Sequence, residues 1–525
     1  MLGKVWGFLK YYHPNIAEGN YNWDYELFSI LPKIINSGSR IERNSLLSDW
    51  VASLGEVNTI DLTSSPINDA DRVKLIPDLD WISDAGNLSD GLIVQLNKIK
   101  YAARPDENYY IGMHPGVGNP EFRNESSYEN MQYPDAGYRL LSLYRYWNII
   151  QYFFPYKYYE MQDWRNILSE FIPKVLNSKN EIEYKLVMLE LIAKVKDTHA
   201  NIWGNDQALF NYRGSNYSPV EVTFVENKAV VTDYFDESLG KSSGLQKGDI
   251  ILSINDKNID DIVREKTPYT PVSNSSSLLR DIAGNLLRTN ESSVKIVYKR
   301  DDKKNNLILN CYPTDKINIY KKYTLKDTCF KLINENIAYI NPGKIKNTYL
   351  PEIMPSVLNS KGLILDFRNY PSDFLVFTLS GYLFKEPKEF VKFTKGSIET
   401  PGLFIFTDPL STGKINHDYF KGKIVILINE NTQSSGEYHT MAFRKAPGAV
   451  VIGSQTAGAD GNVSEFYLPG GIRTMISGIG VYYPDGTETQ RIGIVPDIVV
   501  KPTIKGVKEN RDELLEKAIE IIKKK

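Results

Sequence analysis

Ile424-Val425-Ile426-Leu427-Ile428, followed by Asn431-Thr432-Gln433-Ser434-Ser435-Gly436-Glu437, decides how this chain is read. The apolar run has the length and β-branching of a buried strand. Glu437 to Ala446 has the composition of a helix. A serine at such a junction is held by a turn, with its hydroxyl free to face a cleft. The amide of Ser435 and the helix N-terminus face the same space, an arrangement that suits a developing oxyanion. Two readings of Ser434 follow, a nucleophile or a plain N-cap. Outward from this stretch, Gly362-Leu363-Ile364-Leu365-Asp366-Phe367-Arg368-Asn369 reads as a strand entering a loop, and Ala449 to Ile452 as another strand. Short buried strands alternating with helices from residue 330 onward predict an α/β layer architecture.

The length of 525 residues predicts several domains. A hydrophobic share of 42% and a charged share of 24% supply an ordinary core. A net charge of -2 gives no argument for nucleic acid or for an anionic membrane surface. No apolar run is long enough for a transmembrane helix. Met1-Leu2-Gly3-Lys4-Val5-Trp6 enters directly into an amphipathic helix, so no signal peptide is expected; the chain is either cytosolic or a processed form. Tyrosine is abundant at 34 residues, which suits core packing and also peptide-facing or carbohydrate-facing grooves. Cys311 and Cys329 could pair. Two cysteines and five scattered histidines do not make a zinc site, and no metal or organic cofactor is expected.

Residues 2 to 58 resemble residues 143 to 199 at a constant offset. The shift pairs Trp6 with Trp147, Tyr11 with Tyr152, Pro14 with Pro155, Trp23 with Trp164, and Pro32 with Pro173. Both copies read as helices broken at the shared prolines, each a small unit burying an amphipathic face. The second copy ends in Lys196-Asp197-Thr198-His199, where the first ends in Gly55-Glu56-Val57-Asn58. His199 therefore stands where the first copy has Asn58. Between the copies, Gly91-Leu92-Ile93-Val94 reads as one of several short strands. Gly116 to Asn130, rich in Gly, Asn, Pro and Ser, reads as a linker.

In residues 218 to 312, Gly244-Leu245-Gln246-Lys247-Gly248-Asp249-Ile250-Ile251-Leu252-Ser253-Ile254-Asn255 resembles PDZ domains. Gly248 and Asp249 should make the tight turn into a central strand. A PDZ domain adds an extended peptide as a strand beside a helix, so Gly244, Leu245, Gly248 and Asp249 are the candidate peptide-binding residues. The other reading is an interaction spacer.

A PDZ module, then Leu365-Asp366-Phe367-Arg368-Asn369, then Ser434 three residues before Glu437, then Gly493-Ile494-Val495-Pro496-Asp497 resembles the C-terminal processing peptidase superfamily. The resemblance covers roughly residues 140 to 505 and rests on motif order. It implies a catalytic domain of the crotonase-like spiral type with Ser434 as nucleophile. One branch of the superfamily uses a lysine about 25 residues after the serine as base; Ala459 stands there, which excludes that mechanism. The tricorn-like branch uses a histidine ahead of the PDZ module, matched by Asp197-Thr198-His199. Its third member is a Glu three residues before the Gly of the Gly-x-x-Pro-Asp motif, and here that position is Gln490. Three possibilities stay open: Glu488 serves, Gln490 orients the imidazole without a charge, or Thr198 helps hold the third group. The oxyanion hole should use the amide of Ser435 and one from the loop after Asn369, with Ser372 the candidate in Tyr370-Pro371-Ser372-Asp373. Among the other histidines, His439 should point elsewhere on its helix.

The resulting expectation is a multidomain α/β chain. It has helical copies at 1–60 and 136–212, a mixed segment at 61–135, a PDZ-like domain at 217–315, a peptidase domain at 316–510 and a terminal helix at 511–525. The expected function is a serine endopeptidase acting on extended or C-terminal polypeptide segments. The resemblance implies an exported setting. The rival is a catalytically weak peptide-binding scaffold; a crotonase-type acyl-CoA enzyme is a third reading.

Overall fold

The computed structural model describes residues 1–59, 70–320, 328–333 and 336–524. The buried run Lys423–Ile428 lies inside a six-stranded sheet. In spatial order the sheet runs Phe330–Ile333, Ile337–Ile340, Gly362–Asp366, Lys423–Ile428, Ala449–Gly453 and Ile498–Val499. Every pairing is parallel except the first. Parallel strands need both faces covered, and the period of two divides them accordingly. Leu363, Leu365, Ile424, Ile426 and Ile428 face one apolar layer with Leu379 and Phe443. Ile364, Val425, Leu427 and Ile452 face the other, which Ala518 and Ile521 of the helix Glu513–Lys523 close.

The duplication at the N-terminus is reproduced in three dimensions. Trp6 Nε1 donates to Trp23 O at 3.0 Å and Trp23 Nε1 to Trp6 O at 2.9 Å. In the second copy Trp147 Nε1 donates to Trp164 O at 2.9 Å and Trp164 Nε1 to Trp147 O at 3.3 Å. The helices end just before the shared pair Pro14 and Pro155, as expected, but the pair Pro32 and Pro173 does not break its helices. Pro32 lies inside Trp23–Asn36 and Pro173 inside Met161–Asn177, because packing of the flanking apolar face outweighs one lost hydrogen bond. The copies share one core, and Asn148 of the second donates to Gly3 O of the first at 2.9 Å.

The segment between the copies differs from its reading in two places. Gly91-Leu92-Ile93-Val94 sits in the helix Asp90–Lys100, capped by the Ser89 side chain; a short apolar run cannot separate strand from helix. Gly116 to Asn130 is no linker. Its Pro120–Phe122 pairs with Ile111–Met113, and its Glu125 is buried between Lys10 at 2.5 Å and Arg145 at 2.7 Å. Val73–Leu75 leaves this segment to pair with Phe404–Phe406 of a second sheet.

The PDZ-like module is a sheet in the order Lys303–Asn310, Ser293–Arg300, Ile250–Ile254, Lys228–Tyr234, Val220–Val225. The strand after Gly248-Asp249 is central, as its sequence predicts. Val220–Val225 is an edge strand, with the helix Ser275–Ala283 packed along it. Cys311 and Cys329 are free thiols. Among the described residues no helix is long and apolar enough to cross a membrane.

Candidate active site

Ser434 occupies a backbone conformation that an L-residue rarely adopts, φ 53° and ψ -120°, between the strand Lys423–Ile428 and the helix Ser435–Phe443. A strained strand-to-helix turn of this kind lifts a serine hydroxyl out of the sheet top, and the strain persists only because the surroundings hold it. The holding group is Glu437, fully buried. Its carboxylate accepts from the amides of Ser434 at 3.1 Å, Gly458 at 2.8 Å and Ala459 at 3.1 Å, and from the Thr456 hydroxyl. Burial pushes the Glu437 carboxyl up, and these donors work against that shift. The Ser434 amide also donates to Ala459 O at 2.9 Å.

The same loop fastens the histidine segment. The amide of Ala457 donates to Thr432 O at 2.9 Å, and the Ala457 carbonyl accepts from the Thr198 hydroxyl at 3.3 Å. One residue thus joins the turn before Ser434 to the residue before His199. Thr198 is further tied to Ser273, by its amide at 2.8 Å and its hydroxyl at 2.9 Å. It therefore braces the histidine against the PDZ-like module and does not hold an acid.

The carboxylate linked to the imidazole is one to which sequence reasoning gave no role. His199 Nδ1 lies 2.8 Å from Ser477 Oγ, and Ser477 Oγ donates to Asp197 Oδ1 at 3.0 Å. Asp197 also accepts from the amides of Ser477 at 2.7 Å and His199 at 3.1 Å. With the Ser477 hydroxyl spent on the carboxylate, Nδ1 carries the proton and Nε2 has the free lone pair. That is the tautomer a general base requires. Nε2 is buried and has no hydrogen-bond partner among the described residues, so Ser434 and His199 are not bonded to each other. Burial lowers the imidazole pKa below its ordinary 6.5, opposed by Asp197.

Ser477 reaches this place through packing. It ends the hairpin Val463–Leu468 and Ile472–Ser477, whose Phe466, Leu468, Ile472 and Ile476 enter the core of the helical body. The signal in the sequence was Asp197 itself, two residues before the histidine. The hydroxyl that links them comes from 278 residues away.

Neither of the other expected third members is bonded to His199 among the described residues. Glu488 accepts from Lys74 Nζ at 2.9 Å and from Tyr158 Oη at 2.6 Å. Gln490 is fully buried with both amide atoms unpartnered. It is flanked by Thr489, bonded to Val481 O, and by Arg491, whose amide donates to Gly458 O at 2.8 Å. Asp460, next in the same loop, is buried with Oδ2 unpartnered, and burial together with Glu437 pushes its carboxyl well above the usual carboxylate range. Buried polar atoms without partners are uncommon in folded proteins. Three residues with such atoms, His199, Asp460 and Gln490, gather around residues 457–461.

Among the described residues the Ser435 amide has no acceptor, but the amide of Ser372 donates to Pro342 O at 2.9 Å. Ser372 is therefore not a free oxyanion donor. In the same loop the amide of Tyr370 has no acceptor among the described residues, and Asn369 and Tyr370 line the cleft beside Gln433. His439 is structural: Nε2 accepts from the Leu375 amide at 2.9 Å and Nδ1 lies against Ser435 O.

A cleft of about 910 Å³ runs from Gln433, Asn369 and Thr198 to the edge strand Val220–Val225 and the helix Ser275–Ala283. Gly244, Leu245, Gly248 and Asp249 do not line it. They build the turn behind it, where Asp249 receives Arg300 at 2.5 and 2.7 Å, Arg300 also donates to Gly244 O, and Leu245 is core.

Residues 337–500 match the family model described as Peptidase family S41. No curated protein matches the chain. Among solved structures, mature CPAF is similar in fold at a TM-score of 0.55 and 13% identity, over 74% of this chain and 97% of that one. Mature CPAF complexed with lactacystin gives 0.54 and 13%, over 74% and 98%. Sixty-three solved chains match in all.

Proposed function

We propose, from the premise that the chain is a serine-type endopeptidase acting on polypeptides and carries an S41 peptidase domain, that Ser434 is its nucleophile and His199 its general base. The observation that carries this reading is the histidine. Its Nδ1 is locked through Ser477 to a buried carboxylate, while its Nε2 is desolvated and unpartnered.

A peptide enters the cleft as an added strand on Val220–Val225, beside the helix Ser275–Ala283. Its scissile carbonyl meets Ser434. His199 Nε2 takes the hydroxyl proton as the Ser434 oxygen bonds to the carbonyl carbon. The resulting imidazolium is stabilised by Asp197 through the Ser477 hydroxyl, the role a triad acid performs. The oxyanion is met by the amide of Ser435, at the N-terminus of its helix, and by the amide of Tyr370. His199 returns the proton to the leaving amine, the C–N bond breaks, and water resolves the acyl-enzyme by the same base. Hydrogen bonds of this kind are often long without substrate and tighten in the complex, which accommodates the missing Ser434–His199 bond. No metal is required in this scheme. The exported setting implied by the resemblance belongs to the same reading.

Labelling with a fluorophosphonate probe tests it. Wild-type protein should be labelled, and Ser434→Ala and His199→Ala should not. Labelling of Ser434→Ala at the wild-type rate would place the activated serine elsewhere. Failure of folded wild type to label or to cleave any peptide would favour a binding scaffold.

A further inference from the structure

Two carboxyl groups, Glu437 and Asp460, are buried together behind the turn that carries Ser434. One residue separates them: Glu437 accepts from the Ala459 amide at 3.1 Å, and Asp460 follows Ala459 in the chain. Among the described residues no lysine, arginine or histidine is bonded to either carboxyl. Two negative charges so close, out of water and without a counter-charge, do not persist together, so one of the pair keeps its proton.

Hydrogen bonding decides which one. Glu437 accepts from the amides of Ser434, Gly458 and Ala459 and from the Thr456 hydroxyl. Donors aimed at both of its oxygens favour the ionised form. Asp460 accepts one hydrogen bond, from the Gly461 amide to Oδ1 at 2.7 Å, and its Oδ2 has no partner among the described residues. A buried carboxylate with a single donor is the costlier anion. Glu437 is therefore the carboxylate and Asp460 the carboxylic acid. The groups that face Asp460 from other elements agree. Tyr438 on the helix Ser435–Phe443, Tyr156 and Tyr483 are within its electrostatic reach, and burial holds all three phenols neutral. Arg444, behind Tyr483, donates to that phenol at 3.0 Å and pairs with Asp497 at 2.9 Å.

Asp460 is also held by its backbone. Gly461 has φ +100°, and a Cβ there would strike Val481; Gly458 has φ +68°, and a Cβ there would strike the Arg491 backbone. Between these fixed points the Ala459 carbonyl accepts from the Ser434 amide at 2.9 Å. The Asp460–Gly461 hydrogen bond closes the loop directly behind that contact.

We propose that Asp460 is a further positioning residue for the reaction: a neutral carboxylic acid that leaves Glu437 the one charge of the pair and fastens the loop behind the Ser434 turn. It acts through Ala459 and Glu437 on where the Ser434 hydroxyl stands. This deepens the reading of Ser434 as the nucleophile and rests on it.

The test exchanges each carboxyl for its neutral isostere in the full chain and follows peptide hydrolysis, fluorophosphonate labelling and the infrared spectrum. Asp460→Ala removes the acceptor of the Gly461 amide. It should lower kcat about tenfold or more with KM little changed, because misplacing Ser434 acts on bond formation. Asp460→Asn keeps that acceptor without a charge and should restore kcat to within about threefold of wild type. Glu437→Gln sets an amide NH₂ against donors and should lower kcat about a hundredfold. The carbonyl band of a protonated carboxyl should be present in wild type at neutral pH and missing from Asp460→Asn. An Asp460→Asn variant as impaired as Asp460→Ala would make Asp460 an anion, and an active Glu437→Gln variant would move the proton to Glu437; either overturns the proposal. Should Glu437→Gln fail to fold, the comparison of Asn with Ala at position 460 and the infrared band decide. The band without labelling of folded wild type would sink the reading of Ser434 and leave the proton on Asp460; labelling and hydrolysis without the band would do the reverse.

Discussion

The two helical copies share one plan, and the contrast that bears on the site lies in the three residues that end each of them. Each locks its helices with a reciprocal pair of indole-to-carbonyl hydrogen bonds. Each ends in a residue of positive φ, Gly55 at 94° and Lys196 at 52°. After that shared turn the first copy has Glu56, Val57 and Asn58, and the second has Asp197, Thr198 and His199. Thr59 closes the first copy by bridging to Ala102, a purely structural contact. In the second copy, the same turn leads into the proposed base His199, the buried carboxylate Asp197 tied to it through Ser477, and Thr198 bonded to Ser273. On the proposed reading, scaffold and chemistry are separable: apolar spacing and tryptophan locks set the fold, and the residues past the last turn set what it does.

The largest expected effect comes from making the second copy end like the first. His199→Asn should lower kcat/KM by about 10⁴ or more with the fold retained, because the base acts as a unit with Ser434. Asn58→His in the first copy should add nothing. Peptide hydrolysis by purified variants checks both, and wild-type activity in His199→Asn would end the assignment.

Next comes the acid. Asp197→Asn should cost about 10² to 10⁴ in kcat. It should also move the acid limb of the pH profile. Asp197 raises the His199 pKa against the effect of burial, so its removal lets the pKa fall and shifts the limb to lower pH. A merely structural role would lower activity without that shift.

In the wild type, His199 must be neutral to act, and burial holds its pKa below 6.5. Activity should therefore persist below pH 6.5 and fall only as pH drops through the depressed value. The same depression means that the unfolded chain binds more protons in acid, so His199 contributes a loss of stability as pH falls below about 6.5. A kcat/KM profile with its acid limb above pH 6.5 would contradict the buried geometry.

A smaller effect tests the likeness of the copies. Trp6→Phe and Trp147→Phe should each destabilise by about 2 kcal/mol, since each leaves a buried carbonyl without its donor. Denaturant unfolding measures both. Inequality well beyond this scale would show that the two locks are not equivalent. The smallest expected change is for Glu488→Gln. Glu488 is committed to Lys74 and Tyr158, so kcat/KM should stay within about twofold, the scatter expected of a residue outside the catalytic unit.

The sequence was informative where chemistry is local. Ile424 to Ile428, β-branched and followed by turn residues, reads as a buried strand, Ser434 stands just beyond its end, and Gly248-Asp249 announces the turn into a central strand. The 141-residue offset exposed the duplication and marked His199 by its contrast with Asn58. It was less informative where a residue's role depends on a distant partner. Glu488 and Gln490 follow the motif arithmetic, yet Glu488 is bonded to Lys74 and Tyr158 and the amide of Gln490 has no partner among the described residues. Ser372 sits in the expected loop but spends its amide on Pro342. Gly91 to Val94 carries too little pattern to tell helix from strand.

The sequence by itself determined the α/β layering, the turn that carries Ser434 and the choice of His199 as the candidate base, because apolar period, turn chemistry and motif order are written in neighbouring residues. Only the tertiary structure decided that Asp197 is joined to His199 through Ser477, since that link forms when the apolar face of a hairpin 278 residues away packs into the helical core.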